Sequence, residues 1–198
     1  MTTTVFLVRH GVHDQLRRRL CGRAPGVRLG EAGLAQAEAA GRRLAREGVE
    51  IVLTSPLERT RQTAEPIARA CGAPLRLEEA LMEIDFGDWN GRTFDSLEAD
   101  PLWRIWNRER DTARPPSGES MAEVQARLTD WLDRLARTGA RAVAAVSHAD
   151  VIKAAVGLAS GLSMRFHDRF EVSPGSITSL AVGEDFLKLH ALNEVPHV

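Results

Sequence analysis

Histidine and arginine side chains lie where the sequence predicts strands to end. Arg9 and His10 directly follow the first apolar run, His148 follows a later run, and Arg59 lies one turn inside a helix predicted after another run. Because ligands of open α/β sheets bind beyond the carboxyl ends of strands, we expect these four residues to converge. Guanidinium groups match phosphate oxygens, and a helix N-terminus attracts anions. The pattern therefore predicts a phosphoryl-binding site, in which two arginines lower the pKa of His10 and keep its imidazole neutral and nucleophilic.

Apolar runs that alternate with helical patterns predict the elements that position these residues. The predicted strands are residues 5–8, 51–54, 142–146, 177–182 and 186–189. Their alternation with helices predicts an α/β fold, a three-layer α/β/α sandwich with a mostly parallel sheet. The last two runs are separated by only three residues, which predicts an antiparallel C-terminal hairpin. Because no repeat or long linker interrupts the chain, residues 1–198 are expected to form a single domain.

Two helix starts have capping patterns. Ser55 precedes Pro56 and stands three residues before Glu58, which predicts a helix with Ser55 as its N-cap. Ser120 stands three residues before Glu123, which predicts a second capped helix.

Apolar stripes predict which helix faces are buried. One helix is expected to bury Leu34, Ala37, Gly41, Leu44 and Ala45. A shorter helix is predicted to begin at Asp100-Pro101. Its predicted apolar face is Leu102, Ile105 and Trp106, and Trp103, Arg104, Arg108 and Arg110 are expected on its surface.

Composition excludes several classes of protein. The sequence has 26 basic and 27 acidic residues, so its net charge of -1 gives no field towards nucleic acid or a membrane surface. Cys21 and Cys71 lack metal-binding spacing and fit free thiols in a reducing compartment. The apolar start of the chain is too short for a signal peptide or a membrane span. We therefore expect a soluble cytoplasmic protein without a nucleic-acid or membrane partner, whose oligomeric state stays open.

Several motifs together resemble one known family. The segment Leu7-Val8-Arg9-His10-Gly11 resembles the RHG signature of the histidine phosphatase superfamily, which includes cofactor-dependent phosphoglycerate mutases. The resemblance spans residues 5 to about 160, with the motifs in the family's order. The further segments that agree are 55–64, the second arginine motif; 83–91, the acid loop; 118–120, a later helix start; and 147–148, the second histidine.

This resemblance implies roles for individual residues. His10 becomes the nucleophile that forms a phosphohistidine, and Glu83 becomes the acid that protonates the leaving group. A carboxyl shielded from bulk water and close to phosphoryl oxygens can hold a proton near neutral pH. The implied activity is hydrolysis of a small phosphomonoester without a metal or another cofactor. The residues implied to bind the phosphoryl group are Arg9, Arg59, His148 and Ala149.

The chain departs from the family beside these motifs. His13 stands where relatives often have threonine or serine, and Leu16 replaces a common asparagine. Asn90 stands where the acid loop usually has glutamate. Cys21 and Gly22 align with a substrate-facing turn of the relatives. We therefore expect His13, Cys21 and Gly22 as candidate substrate contacts, with a surface or supporting role for His13 and a buried thiol for Cys21 as alternatives.

Other functions stay open alongside hydrolysis. The same groups suit a phosphoglycerate mutase, although the segment after Glu83 is short for the closing cover that a mutase needs. A phosphoprotein-binding module could use the same pocket without turnover. A metallohydrolase would use His10, His13, Asp14 and His148, although their spacing is not typical of strong metal sites. A Ser147-His148-Asp150 triad is disfavoured because the GxSxG turn is missing.

Overall fold

The computed structural model describes residues 2–198, whose strands form one six-stranded sheet of order β3-β2-β4-β1-β5-β6. The first four strands in this order are parallel, β5 is antiparallel to β1, and β6 is antiparallel to β5. The predicted mostly parallel sheet and C-terminal hairpin are confirmed. The strands are β1 (Thr3–Arg9), β2 (Ile51–Thr54), β3 (Leu75–Leu77), β4 (Ala142–Ser147), β5 (Ile177–Gly183) and β6 (Phe186–Glu194). Sequence patterns missed β3 because it is a three-residue edge strand whose side chains are all exposed.

Helices cover both faces of the sheet. Along β1, Phe6 and Val8 pack towards α1 and α2, whereas Val5 and Leu7 pack towards α5 and α6. This alternation follows from the two-residue period of a strand, and it produces the predicted three layers. The helices are α1 (Glu31–Leu44), α2 (Glu58–Cys71), α3 (Phe94–Glu98), α4 (Pro101–Arg108), α5 (Met121–Ala136) and α6 (Ala149–Ser160).

The predicted buried face of α4 is wrong in part. Trp103 and Trp106 are both buried, whereas Leu102 and Ile105 are exposed. The indole rings of Trp89 and Trp103 meet edge to face, with centroids 5.3 Å apart. Aromatic side chains bury more apolar area than leucine or isoleucine and gain from this ring geometry, so they decide which face turns inward.

The buried stripe of α1 also differs from its prediction. Ala37, Gly41 and Leu44 are buried, but Leu34 is 45% exposed and Ala45 is exposed as well. A Cβ atom at Gly41 would lie 3.0 Å from the carbonyl oxygen of Pro66, so α1 and α2 approach closely through small residues. Because this contact sets which face of α1 packs against α2, Leu34 lies outside the buried face.

One of the two predicted caps is confirmed. Ser120 and Glu123 form a complete capping box at the start of α5. The Ser55 prediction is wrong, because α2 begins at Glu58 with Leu57 at its N-cap and has no side-chain cap. Ser55 instead shares a hydrogen bond of 2.9 Å with His148. The predicted start of α4 at Asp100-Pro101 is also confirmed, and the Asp100 side chain accepts from the Leu102 N–H there.

Within residues 2–198, every helix is too short or too polar to cross a bilayer.

Candidate active site

The ends of β1 and β4 bring the two candidate histidines together. Arg9 pairs with Ser147 in the parallel register, and the His10 N–H donates to the Ser147 carbonyl at 3.0 Å. The rings of His10 and His148 have centroids 5.3 Å apart. A cavity of about 140 Å³ opens at this edge of the sheet, a volume that suits a phosphoryl group. The predicted site residues that line it are Arg9, His10, His13, Cys21, Gly22, Arg59, Glu83 and Ala149.

His10 is held with one ring nitrogen fixed. Its Nδ1 lies 2.8 Å from the Gly11 carbonyl oxygen, which only accepts, so Nδ1 carries the proton and Nε2 carries the lone pair. Burial lowers the pKa of His10 well below 6.5, and the charges of Arg59 and Arg9 lower it further. The predicted direction is confirmed, although burial is the largest cause. A Cβ atom at Gly11 would lie 2.4 Å from the Gly33 carbonyl oxygen, so only glycine fits beside the histidine.

Arg59 projects from the first turn of α2 and is 2% exposed. Its Nη2 donates to the Gly22 carbonyl at 2.7 Å and to His148 Nδ1 at 3.2 Å. Its Nε and Nη1 have no hydrogen-bond partner within residues 2–198, and neither does Nε of Arg9. Buried donors are rarely left unpaired, so an anion with several oxygens is the ligand that these two side chains favour.

His148 is fully buried and lies at the N-cap of α6. Since the guanidinium of Arg59 can only donate, His148 Nδ1 accepts, and Nε2–H donates to Ser55 Oγ. Burial, Arg59 and His10 together lower the pKa of His148 well below 6.5. Ala149 begins α6 and lines the cavity, so the positive end of that helix adds to the attraction for an anion.

Glu83 is a buried carboxyl that lines the same cavity. Its Oε1 accepts from the Ile84 N–H at 3.0 Å, and its Oε2 lies 3.8 Å from His148 Nδ1. Burial raises the pKa of Glu83 to about 7, with a further contribution from the negative charge of Asp150, while Arg59 opposes the shift. The carboxyl therefore holds a proton close to neutral pH, which is the property that a general acid needs.

The candidate substrate contacts differ in character. His13 is 5% exposed, its ring centroid lies 5.3 Å from that of His10, and its Nδ1 has no partner within residues 2–198. Burial lowers the pKa of His13 to about 4, so its imidazole is neutral. Cys21 is a buried thiol whose pKa burial raises. Gly22 lines the cavity, and its carbonyl orients Arg59.

Sequence reasoning missed part of the cavity wall. Asp150 lines the cavity and pairs with Arg110, which was expected on the surface but is buried. The Arg110 guanidinium also lies 5.1 Å from the ring centroid of Trp106, which explains why this charge is tolerated inside. Asp150 could have been predicted from the sequence, because it directly follows Ala149, which the resemblance already placed in the site. Arg110 lies in a loop after α4, where no helix or strand periodicity indicates burial. The other unpredicted lining residues are Leu16, Arg17, Arg19, Leu20, Phe86 and Phe94.

Two alternative chemistries lose their geometric basis. Within the described chain, no cluster of three or more histidine, cysteine or acidic side chains has the geometry of a metal site. His10, His13, Asp14 and His148 thus do not form such a cluster among the described residues. Ser147 Oγ donates to the Leu81 carbonyl at 2.8 Å rather than to His148, which excludes the serine triad.

Comparison with protein families matches residues 5–195 to the histidine phosphatase superfamily, branch 1. The chain belongs to this superfamily. The match confirms the resemblance that the ordered motifs indicated, and it extends that resemblance through β5 and all of β6.

Individual relatives of this histidine phosphatase cover different shares of it. "Bifunctional protein Rv2228c" of Mycobacterium tuberculosis is 39% identical over 176 residues, which are 83% of this chain and 47% of that protein. This chain thus spans about half the length of that relative. "Probable phosphoglycerate mutase GpmB" of Photorhabdus laumondii is 33% identical over 181 residues, 88% of this chain and 82% of that protein. The native structure of mycobacterial glucosyl-3-phosphoglycerate phosphatase Rv2419c is 27% identical, with a TM-score of 0.84 and coverage of 98% of this chain and 100% of that one.

Proposed function

We propose that this histidine phosphatase hydrolyses a small phosphorylated metabolite, a phosphomonoester, through a phosphohistidine at His10. The orientation of His10 carries the proposal: Gly11 holds Nδ1, so Nε2 offers its lone pair in a cavity shared with Arg9 and Arg59. Similarity to a phosphatase of glucosyl-3-phosphoglycerate supports hydrolysis as the reaction. The proposal treats residues 1–198 as one phosphatase domain, which the single sheet supports.

In the first step, His10 Nε2 attacks phosphorus and the bond to the leaving oxygen breaks. Glu83 gives its proton to that oxygen, so the product leaves as an alcohol. Arg9 and Arg59 donate hydrogen bonds to the phosphoryl oxygens, and the N-terminus of α6 at Ala149 adds a positive potential. A bound anion also offsets the charge of Arg59 at His148, so that Nδ1 of His148 can take up a proton, release its hydrogen bond from Arg59 and donate to the anion as well.

In the second step, the Glu83 carboxylate takes a proton from water. The resulting nucleophile attacks the phosphohistidine, the N–P bond breaks, and His10 and inorganic phosphate are released. Two displacements replace one difficult hydrolysis, and the same cationic groups offset the charge in both transition states. A phosphoprotein-binding module would need the guanidinium groups but neither His10 nor Glu83, so the presence of both in the cavity favours turnover.

The experiment that tests this function measures phosphate release from a panel of phosphorylated metabolites. We expect the protein to keep its full rate after treatment with a chelator, because the positive charge of the proposed site comes from Arg9, Arg59 and α6. A rate that falls with chelator and returns with zinc or manganese would contradict the metal-independent mechanism. Absence of phosphate release from every compound would favour the binding module.

Mutase activity is the second candidate, because GpmB of Photorhabdus laumondii is a relative. A mutase retains a bisphosphorylated intermediate while it reorients and excludes water from the phosphohistidine. We expect hydrolysis to be faster in this chain, because the segment between Glu83 and His148 contributes only a 3₁₀ turn and the short helices α3 and α4 besides α5 and β4.

A competition assay separates the two reactions. The protein is incubated with 3-phosphoglycerate and a trace of 2,3-bisphosphoglycerate, and 2-phosphoglycerate and free phosphate are followed together. Phosphate release should exceed interconversion. Interconversion that is faster by about tenfold, a barrier difference of about 1.4 kcal/mol, would identify a mutase instead.

A further inference from the structure

The backbone that carries Glu83 is held by side chains from distant parts of the chain. This acid segment, residues 80–86, begins in the 3₁₀ turn Glu79–Leu81 and ends before the 3₁₀ turn Gly87–Trp89. Such short turns supply few hydrogen bonds of their own. The position of Glu83 therefore depends on tertiary contacts.

Two arginines bind three carbonyl groups of the acid segment. Arg127, from α5, donates through Nη2 to the Met82 carbonyl at 2.8 Å and through Nη1 to the Ala80 carbonyl. Arg23 donates through Nε to the carbonyl of Glu83 itself at 2.6 Å. The backbone is thus fixed at Glu83 and at two nearby residues.

Glu119 connects the two arginines. Its Oε1 accepts from Nε of Arg127 at 2.8 Å, and its Oε2 accepts from Nη2 of Arg23 at 3.0 Å. The same Oε2 lies 3.3 Å from the Asp85 amide nitrogen, and the Glu119 N–H donates to the Asp85 carbonyl at 2.8 Å. Charge-assisted hydrogen bonds of this kind fix planar guanidinium groups in orientation as well as in place.

We propose that Glu119, Arg23 and Arg127 are positioning residues that hold Glu83 against His148 and the cavity. The inference rests on the proposed function and adds three residues, of which the sequence had singled out only Glu119, as part of a helix start. Ser120 and Glu123 cap the helix start, so the Glu119 side chain is not needed as a cap and can bind the residues that hold the acid segment. The three residues act on the reaction only through Glu83.

The kinetic test compares Glu119→Gln with Glu123→Gln, which removes the same charge four residues along the chain without touching the acid segment. A misplacement of about 1 Å can cost about 100-fold in rate, so Glu119→Gln should lower kcat for an alkyl phosphate by up to that factor with little change in KM. The loss in kcat/KM should be smaller for an aryl phosphate, whose leaving group needs no proton in the first step. Glu123→Gln should keep the wild-type rates.

A double variant shows whether Glu119 acts through Glu83. In a Glu83→Gln background, Glu119→Gln should cause no further loss, because the group that it positions is already absent. A loss as large as in the wild-type background would overturn the proposal. So would an equal loss in kcat/KM for alkyl and aryl phosphates, which indicates a general structural effect.

Hydrogen exchange tests the positioning without relying on turnover. Amides of residues 80–86 should exchange faster in Glu119→Gln than in the wild type or in Glu123→Gln, since their local structure opens more often. Unchanged exchange would overturn the positioning role even in an active enzyme. If the wild type lacks phosphatase activity but Glu119→Gln shows the faster exchange, the proposed function is refuted while the positioning of residues 80–86 by Glu119 is supported. The two failures are therefore distinguishable.

Discussion

Replacement of His10 by alanine should reduce phosphate release by a factor of about 10⁴ or more, the loss that follows removal of a covalent nucleophile. We expect the cationic cavity of His10→Ala to bind phosphate still, because Arg9 and Arg59 are unchanged. The measurement is incubation with a phosphomonoester labelled on phosphorus, followed by counting of protein-bound label before and after mild acid. Wild-type protein should carry acid-labile label, and His10→Ala should carry none.

His190→Ala is the matched control, because His190 is an exposed histidine of β6. It should label and turn over like the wild type. Thermal unfolding of His10→Ala in the presence and absence of phosphate shows whether the variant is folded and still binds the anion. Label of equal strength on His10→Ala would reject His10 as the nucleophile.

Replacement of Glu83 by glutamine should lower kcat/KM for alkyl phosphates by about 10²-fold or more below pH 7, the usual contribution of a general acid. The wild type should show a matching pH dependence. Because the pKa of Glu83 is raised to about 7, the acid form predominates below that pH, and kcat/KM should fall as the pH rises above it. The low pKa of His10 keeps the nucleophile neutral over the same range.

An aryl phosphate with a good leaving group provides the internal comparison. Its phosphoryl group ionises like that of the alkyl ester, but its leaving group departs without needing a proton. The rate at which the aryl phosphate forms the phosphoenzyme should therefore not decline above pH 7. Glu79→Gln, an exposed glutamate in the neighbouring 3₁₀ turn, should behave as wild type. An unchanged alkyl phosphate profile in Glu83→Gln would remove Glu83 from the mechanism.

The arrangement of the histidines was predictable because it depends on strands. Apolar runs fix where β1 and β4 end, and parallel pairing then places His10 beside His148. The placement of Arg59 was predictable in the same way, because Arg59 lies near the start of the helix that follows β2. These inferences use short-range periodicity together with one general rule of sheet topology.

Other features were not predictable because they depend on long-range contacts. Ser55 has every local property of an N-cap, yet its hydroxyl meets a histidine 93 residues away. Trp103 turns inward against Trp89, a choice made by aromatic packing that helical periodicity alone does not encode. The network around Glu119 likewise joins three separate stretches of chain, so only the folded structure connects them.

The close approach of two glycines has an evolutionary consequence. Gly11 has room for no side chain because of the Gly33 carbonyl, and a Cβ atom at Gly33 would lie 2.1 Å from the Val12 carbonyl oxygen. Neither position tolerates a substitution while the other backbone stays in place. We therefore expect Gly33, in the first turn of α1, to be as restricted as Gly11, although α1 carries none of the groups proposed to react.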